Sequence, residues 1–366
     1  MRAPVRVAIL LAGLVLSLVA STPAAGRSEF FGVDQGARPD GRDFRKMAAT
    51  GLRTERFLLT WGSVEPSQGS FRWGATDRLV GGLASHGIRA VPALWGSPAW
   101  VAPTPAHPPI DSVSDRQGWQ AFLAAAVARY GPGGSYWVNR YHQQFGMGAP
   151  VLPIRAWQVW VEPNGKAYFA PTPSAKRYAR LLGISRDAIK GQDPRARVVL
   201  AGLVGLRAWD GQVLEGVPGW RFLRNLYQVP GIRDDFDIAA FHPYAPNIDQ
   251  LRRQMKRIRA VMSANGDGRT ALWITELGWG SAPPGSGGSV LHLNKGIQGQ
   301  KRLLIRSFRL LLRHRRPWHV QRLFWYDWRD PAKSGRAPCS FCRTAGLLRH
   351  NRKPKPAYYA LRRFTR

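Results

Sequence analysis

The sequence predicts an α/β chain, and within that class a (β/α)8 TIM barrel forming a single domain after an N-terminal signal peptide. From residue 30 onward, eight short runs rich in β-branched and aromatic residues alternate with longer segments of helical period, the pattern of repeated βα units around a parallel sheet. The first strand-to-helix turn, VDQGARPDG, lacks the G-x-G-x-x-G spacing of a doubly wound open sheet, the competing architecture. No low-complexity linker divides the chain, and 366 residues at 44% hydrophobic content suffice to bury one large core.

The chain begins MRAPVRVAILLAGLVLSLVASTPAAG, with Arg2 and Arg6 ahead of an apolar run and small residues around Ala24 and Ala25. This is the order of a secretory signal peptide over residues 1–27, leaving the barrel in 28–366. The apolar run, about 14 residues, falls short of the roughly 20 that a spanning helix needs. A secreted, extracellular protein with no transmembrane span after signal removal is therefore expected.

The eight strand candidates are FFGVD near 30, RTERFLLTW near 53, IRAVPALWG near 88 and IRAWQVWVE near 154, then ARVVLAGLV near 196, DIAAFHPYA near 237, ALWITELGW near 271 and QRLFWYDWRD near 321. The segments between them carry helix punctuation. Ser114 with Gln117 three residues on forms a capping-box pattern at the head of SDRQGWQAFLAAAVARYG, and Gly131 closes it. Leu251, Met255, Ile258 and Met262 recur at helical spacing before Gly266, and KPAYYALRRF supplies the last helix. In residues 302–313, Arg302, Arg306, Arg309 and Arg313 form one stripe and Leu303, Leu304, Phe308, Leu311 and Leu312 another, a solvated and a buried face.

The 54 Lys and Arg residues against 22 acids give a formal charge of +32, either an arginine-rich decoration of the outer helices or a field that draws polyanions, including anionic cell-surface polymers. Scattered arginines in an exported chain form no base-reading element, so no specific nucleic-acid partner is expected. The two cysteines, Cys339 and Cys342, are too few for a zinc site, and their spacing leaves a local disulfide or two free thiols open. No metal or organic cofactor is expected.

In a barrel, polar side chains that close apolar strands face a common pocket. Two glutamates qualify: Glu162 ends WQVWVE and Glu276 ends ALWITE, on the fourth and seventh strands, nearly opposite each other. A retaining glycosidase needs such a pair about 5 to 5.5 Å apart, one carboxylate as nucleophile and one carboxylic acid to protonate the leaving oxygen. Arg56 on the second strand and Tyr244 at the end of the sixth are candidates to hold the ionised partner, and His242 on the sixth strand is a further pocket candidate. Trp61, Trp95, Trp100, Trp160, Trp279, Trp325 and Trp328 lie at or beyond strand ends, where flat indoles suit the apolar faces of sugars.

WVEPN, ITELGWG, HPYA and the closing KPAYYALRRF resemble the clan A glycoside hydrolases, particularly families 39 and 5. RFLLTWGSVEPSQGSFRWGATDRLV and GIRAVPALWGSPAW are similar to the second and third βα units of those enzymes. The resemblance implies Glu162 as general acid/base and Glu276 as nucleophile, with Arg56 and Tyr244 orienting the nucleophile and Trp325 flooring the subsite where the bond breaks. The departure is Val161, which stands where the clan usually has an asparagine that bonds the sugar 2-hydroxyl. Another side chain supplying that contact, a sugar with an unusual C2 group, and a barrel that binds without catalysis are all compatible with it. The expectation is a secreted, monomeric retaining glycoside hydrolase acting on a β-linked oligo- or polysaccharide. The alternative is a non-catalytic polysaccharide- or cell-wall-binding barrel.

Overall fold

The computed structural model describes residues 27–35, 38–205, 208–209, 212–213, 216–286, 292–332 and 339–366. The signal peptide expected over 1–27 lies outside the described residues except for its last position. Each of the eight expected runs contains a strand: β1 (Phe31–Asp34), β2 (Thr54–Thr60), β3 (Arg89–Trp95), β4 (Ala156–Val159), β5 (Arg197–Val199), β6 (Ile238–His242), β7 (Ala271–Leu277) and β8 (Val320–Trp325).

All eight pair in parallel in chain order, and β8 returns to β1 with Leu323 opposite Phe31 and Trp325 opposite Val33, so the barrel closes. The longest ladder joins β2 to β3, from Thr54–Arg89 to Thr60–Trp95. The weakest seam joins β5 to β6 through Val199 and Ile238, and the chain just beyond β5, Leu203–Val204, pairs with β6 again. Closure leaves the barrel itself without an open sheet edge.

A helix follows each strand: α1 (Gly41–Thr50), α2 (Gly74–Ser85), α3 (Val113–Tyr130), α4 (Ala175–Gln192), α5 (Gly219–Leu226), α6 (Ile248–Ala264), α7 (Gly296–Arg313) and α8 (Pro356–Thr365). The cap of α3 sits two residues before the one expected. Ser112, in extended conformation, accepts the Asp115 N–H, and Asp115 accepts the Ser112 N–H in return. Asp115 also brings a negative charge to the positive end of the helix, which the neutral Gln117 does not. On α7 the arginine stripe is exposed, while Leu304, Phe308 and Leu311 are buried.

One apolar cluster fills the layer between sheet and helices, where Phe31 stacks on Phe308 of α7 at 4.8 Å. A second fills the barrel itself with Val91, Val199, Ile238, Ala240, Ala271, Trp273 and Phe324. Burial of each large side chain contributes roughly 1.5–3 kcal/mol. Cys339 and Cys342 form a disulfide in the β8–α8 connection, which decides between the two readings of that pair. Among the described residues no helix is long and apolar enough to cross a membrane.

Candidate active site

Side chains on a strand alternate between faces, so Ile238, Ala240 and His242 climb the inner face of β6, and Ala271, Trp273 and Thr275 that of β7. The lower rungs are apolar and the upper ones polar. Arg56, Gln158, His242 and Thr275 form a buried polar layer just below the C-terminal mouth. Strict alternation would turn Glu276 outward after Thr275. The β7–β8 register shifts between Ile274 and Leu277, however, and this irregularity brings Glu276 to the mouth.

Glu162 is swung in by two left-handed residues just beyond β4, Trp160 with φ 71° and Glu162 itself with φ 41°. Such backbone positions cost on the order of 1–3 kcal/mol each and persist where the surroundings hold them. Asn164 is part of that hold. Its amide nitrogen donates to Val204 O (2.9 Å) and Val217 O (2.8 Å), and its side-chain oxygen accepts Val204 N (3.1 Å).

The two glutamates meet. Glu162, His242 and Glu276 each offer a ligating atom within 4.8 Å of the other two. Glu276 accepts from Arg56 Nη1 (2.8 Å) on Oε1 and from the Tyr244 hydroxyl (2.9 Å) on Oε2. Arg56 Nη1 is also paired with Asp34. Glu162 Oε1 lies 2.7 Å from His242 Nδ1, which is 3.6 Å from Glu276 Oε2. The side chains remain 7% (Glu162) and 13% (Glu276) exposed, enough for a substrate to reach them and too little for bulk water to screen them.

Burial lifts both carboxyls above the ordinary carboxylate range. At Glu276 the full positive charge of Arg56 and the Tyr244 hydroxyl oppose that rise. His242, whose pKa burial lowers, gives Glu162 a neutral donor instead. The unlike partners favour the anion more at Glu276 than at Glu162, whose rise is further reinforced by the charge of Glu276.

Both glutamates, Arg56, His242 and Tyr244 thus converge as the sequence suggests, and Val161 is buried between Trp160 and Glu162. The tryptophans require correction. Trp160, Trp279 and Trp325 are fully buried, their indole nitrogens bonded to the carbonyls of Tyr168, Ala245 and Ala345, so none can present a face to a sugar. Trp61 and Trp328 are equally buried. Trp325 packs with Trp279 and Phe308 in the layer behind the sheet, and the next residue, half-buried Tyr326, feels the charge of Glu276.

Trp95 and Trp100 keep partial exposure, but Trp100 packs edge-on against Trp61 and donates its indole N–H to Glu65 O (3.0 Å), which leaves Trp95 as the candidate at the mouth. It lies beside Tyr168 at 6.0 Å, and its buried Nε1 has no hydrogen-bond partner among the described residues. Sequence reasoning passed over Gln158, Thr275, Asn164, Tyr168, Tyr326 and Leu58, the last 46% exposed on the same strand face as Arg56. Gln158 and Thr275 do carry a signal, as lone polar residues inside WQVWVE and ALWITE.

Glu162, His242 and Glu276 are also close enough together to hold a cation, the one such group among the described residues. The donor set fits a metal poorly, because both Glu276 oxygens are engaged and the Arg56 cation is already 2.8 Å from one of them.

No family model matches the chain, and no curated protein matches it. Among solved structures it is similar to a family 39 glycoside hydrolase from the gut symbiont Bacteroides cellulosilyticus WH2, at 21% identity over 93% of this chain and 64% of that one (TM-score 0.65). It is also similar to GH5_18 from Streptomyces cattleya, solved with GlcNAc, at 15% identity over 92% of this chain and 80% of that one (TM-score 0.64). A third similar structure is TsXylA, an intracellular xylanase from Thermoanaerobacterium saccharolyticum, at 14% identity over 92% of this chain and 96% of that one (TM-score 0.58). The chain thus spans about two thirds of the Bacteroides protein, and at these identities the likeness establishes the barrel fold.

Proposed function

We propose that the chain is a secreted retaining glycoside hydrolase that cleaves a β-linked oligo- or polysaccharide by double displacement. The observation that carries this reading is a pair of carboxyls with oxygens within 4.8 Å, held by unlike partners at the mouth of a barrel. A spacing of about 5 Å admits an anomeric carbon but no water between the groups, which is what distinguishes retaining from inverting hydrolysis. The similarity to structures named as glycoside hydrolases of families 39 and 5 supports the same reading.

In this mechanism the Glu276 carboxylate attacks the anomeric carbon while Glu162 gives its proton to the departing oxygen, breaking the glycosidic bond. Glu162, now ionised, takes a proton from water, whose oxygen displaces Glu276 and restores both groups. Arg56 and Tyr244 keep Glu276 ionised and aimed, and Tyr326, Trp95 and Leu58 line the approach. Val161 offers the sugar 2-hydroxyl no donor, so that contact comes from another group or the substrate differs at C2. The similar structures carry names pointing to different sugars, and none of them selects a substrate here. The reading includes export on the segment 1–27, action as a monomer, and adsorption on anionic cell-surface polymer through the excess positive charge.

Val161 also favours a second reading, a barrel that binds polysaccharide without cleaving it. A panel of aryl β-glycosides and polysaccharides, with the first-formed anomer followed by proton NMR, separates the two. Release of the β-anomer is expected. An α-anomer would remove Glu276 as nucleophile, and salt-sensitive binding with no sugar released from any substrate would favour the binder.

A further inference from the structure

The two glutamates are joined beneath the pocket by a buried chain of hydrogen bonds whose direction is dictated from one end. Arginine side chains carry donors only. Arg56 Nε lies 2.6 Å from Gln158 Oε1, so this amide presents its oxygen to Arg56 and its nitrogen to the far side. There Nε2 lies 3.1 Å from Leu200 O and 3.4 Å from Thr275 Oγ1. The Thr275 oxygen therefore accepts, and its single proton is left for the other neighbour, His242 Nε2, at 2.9 Å. A neutral imidazole that accepts on Nε2 carries its proton on Nδ1, and Nδ1 faces Glu162 Oε1 at 2.7 Å.

We infer that Gln158 and Thr275 are positioning residues that lock His242 as the Nδ1–H tautomer and so determine which oxygen of Glu162 carries its acidic proton. With Oε1 taken by the histidine N–H, the proton resides on Oε2, where it stays available to a leaving oxygen. In the opposite tautomer Nδ1 would accept, and Glu162 would direct its proton into the histidine instead. The charged or titratable groups facing the imidazole are Glu162, Glu276, Arg56 and Tyr244, whose ring lies 6.2 Å away, and burial favours the neutral ring among them. Gly202 preserves the space, since a Cβ there would collide with His242 Nε2 and stand 2.6 Å from Thr275 Oγ1.

The catalytic consequence rests on the reading of Glu162 as acid/base, whereas the tautomer can be measured without any substrate. The experiment is a long-range proton–nitrogen NMR correlation on protein labelled at histidine with nitrogen-15, with the His242 signals assigned by their loss in His242→Asn. A protonated Nδ1 and an unprotonated Nε2 are expected in the unaltered protein. Thr275→Val removes the donor at nearly equal volume and is expected to move the ring toward Nε2–H and lower kcat about 10- to 100-fold. Thr275→Ser should restore both. An unaltered protein with the proton on Nε2, or a folded Thr275→Val with an unchanged ring, would overturn the inference. Full turnover in Glu276→Gln would instead defeat the double-displacement reading of the two glutamates, leaving the tautomer to stand or fall on its own spectrum.

Discussion

Glu276 and Glu55 are both buried carboxyls on strands of one barrel, and they differ in what surrounds them. Glu276 sits at the mouth with a guanidinium and a phenol on its two oxygens and a route to solvent. Glu55 is fully buried on the opposite face of β2 from Arg56, neither oxygen has a hydrogen-bond partner among the described residues, and Asp34 and Asp43 add negative charge. Burial and these neighbours raise Glu55 well above the ordinary carboxylate range, which favours its protonated form inside the wall. Burial alone therefore does not make a catalytic group. The partners set the ionisation, and the open mouth gives access.

The largest expected effect separates the two acids outright. Glu276→Gln should lower kcat by about 10⁴-fold or more with little change in melting temperature, since an amide cannot displace a leaving group. A comparable loss in Glu55→Gln would erase the distinction. Next in size is the pH profile of kcat/KM. Glu276 must be ionised, so activity falls as pH drops through its pKa, and Glu162 must be protonated, so activity falls as pH rises through its own. Because burial raises both, the bell should lie above the pH range of ordinary carboxylates, and Glu162→Gln should lose the alkaline limb, tested on an activated aryl glycoside that needs no acid.

Val161→Asn should change the ratio of kcat/KM between a glycoside and its 2-deoxy analogue by roughly 10- to 100-fold, the worth of one strengthened hydrogen bond. An unchanged ratio would mean that position 161 does not read that hydroxyl. The smallest effect belongs to Glu55. Its folded-state pKa is raised, so the native state holds the proton more tightly than the unfolded chain. The stability it contributes is complete below the unfolded pKa and is lost as pH rises through the folded one. Glu55→Met should therefore flatten the fall of stability toward alkaline pH and gain about 1–3 kcal/mol there, measured by urea unfolding at two pH values.

The strand order, the helical faces and the two glutamates were legible in the sequence because each rests on a local pattern: β-branched runs, spacings of three and four, a carboxylate ending an apolar strand. What failed was parity. Trp325 and Tyr326 are adjacent, and alternation places one behind the sheet and the other at the mouth, so an error of one residue exchanges core for pocket. The shift that redirects Glu276 and the left-handed turns at Trp160 and Glu162 have no signature in composition, because those residue types do not ask for them. The tryptophans misled for a related reason: an indole at a strand end serves the outer layer as readily as the pocket, and here Trp279 and Trp325 serve the layer.

The central claim is that Glu276 forms the covalent bond. A 2-deoxy-2-fluoro glycoside with an activated leaving group, matched to whichever sugar the panel shows to be cleaved, slows release of the intermediate enough for peptide mass spectrometry. One added sugar mass per chain is expected, carried by the peptide containing Glu276. A label on Glu162 or on another residue, or an unlabelled chain that still hydrolyses the matched substrate, would contradict it.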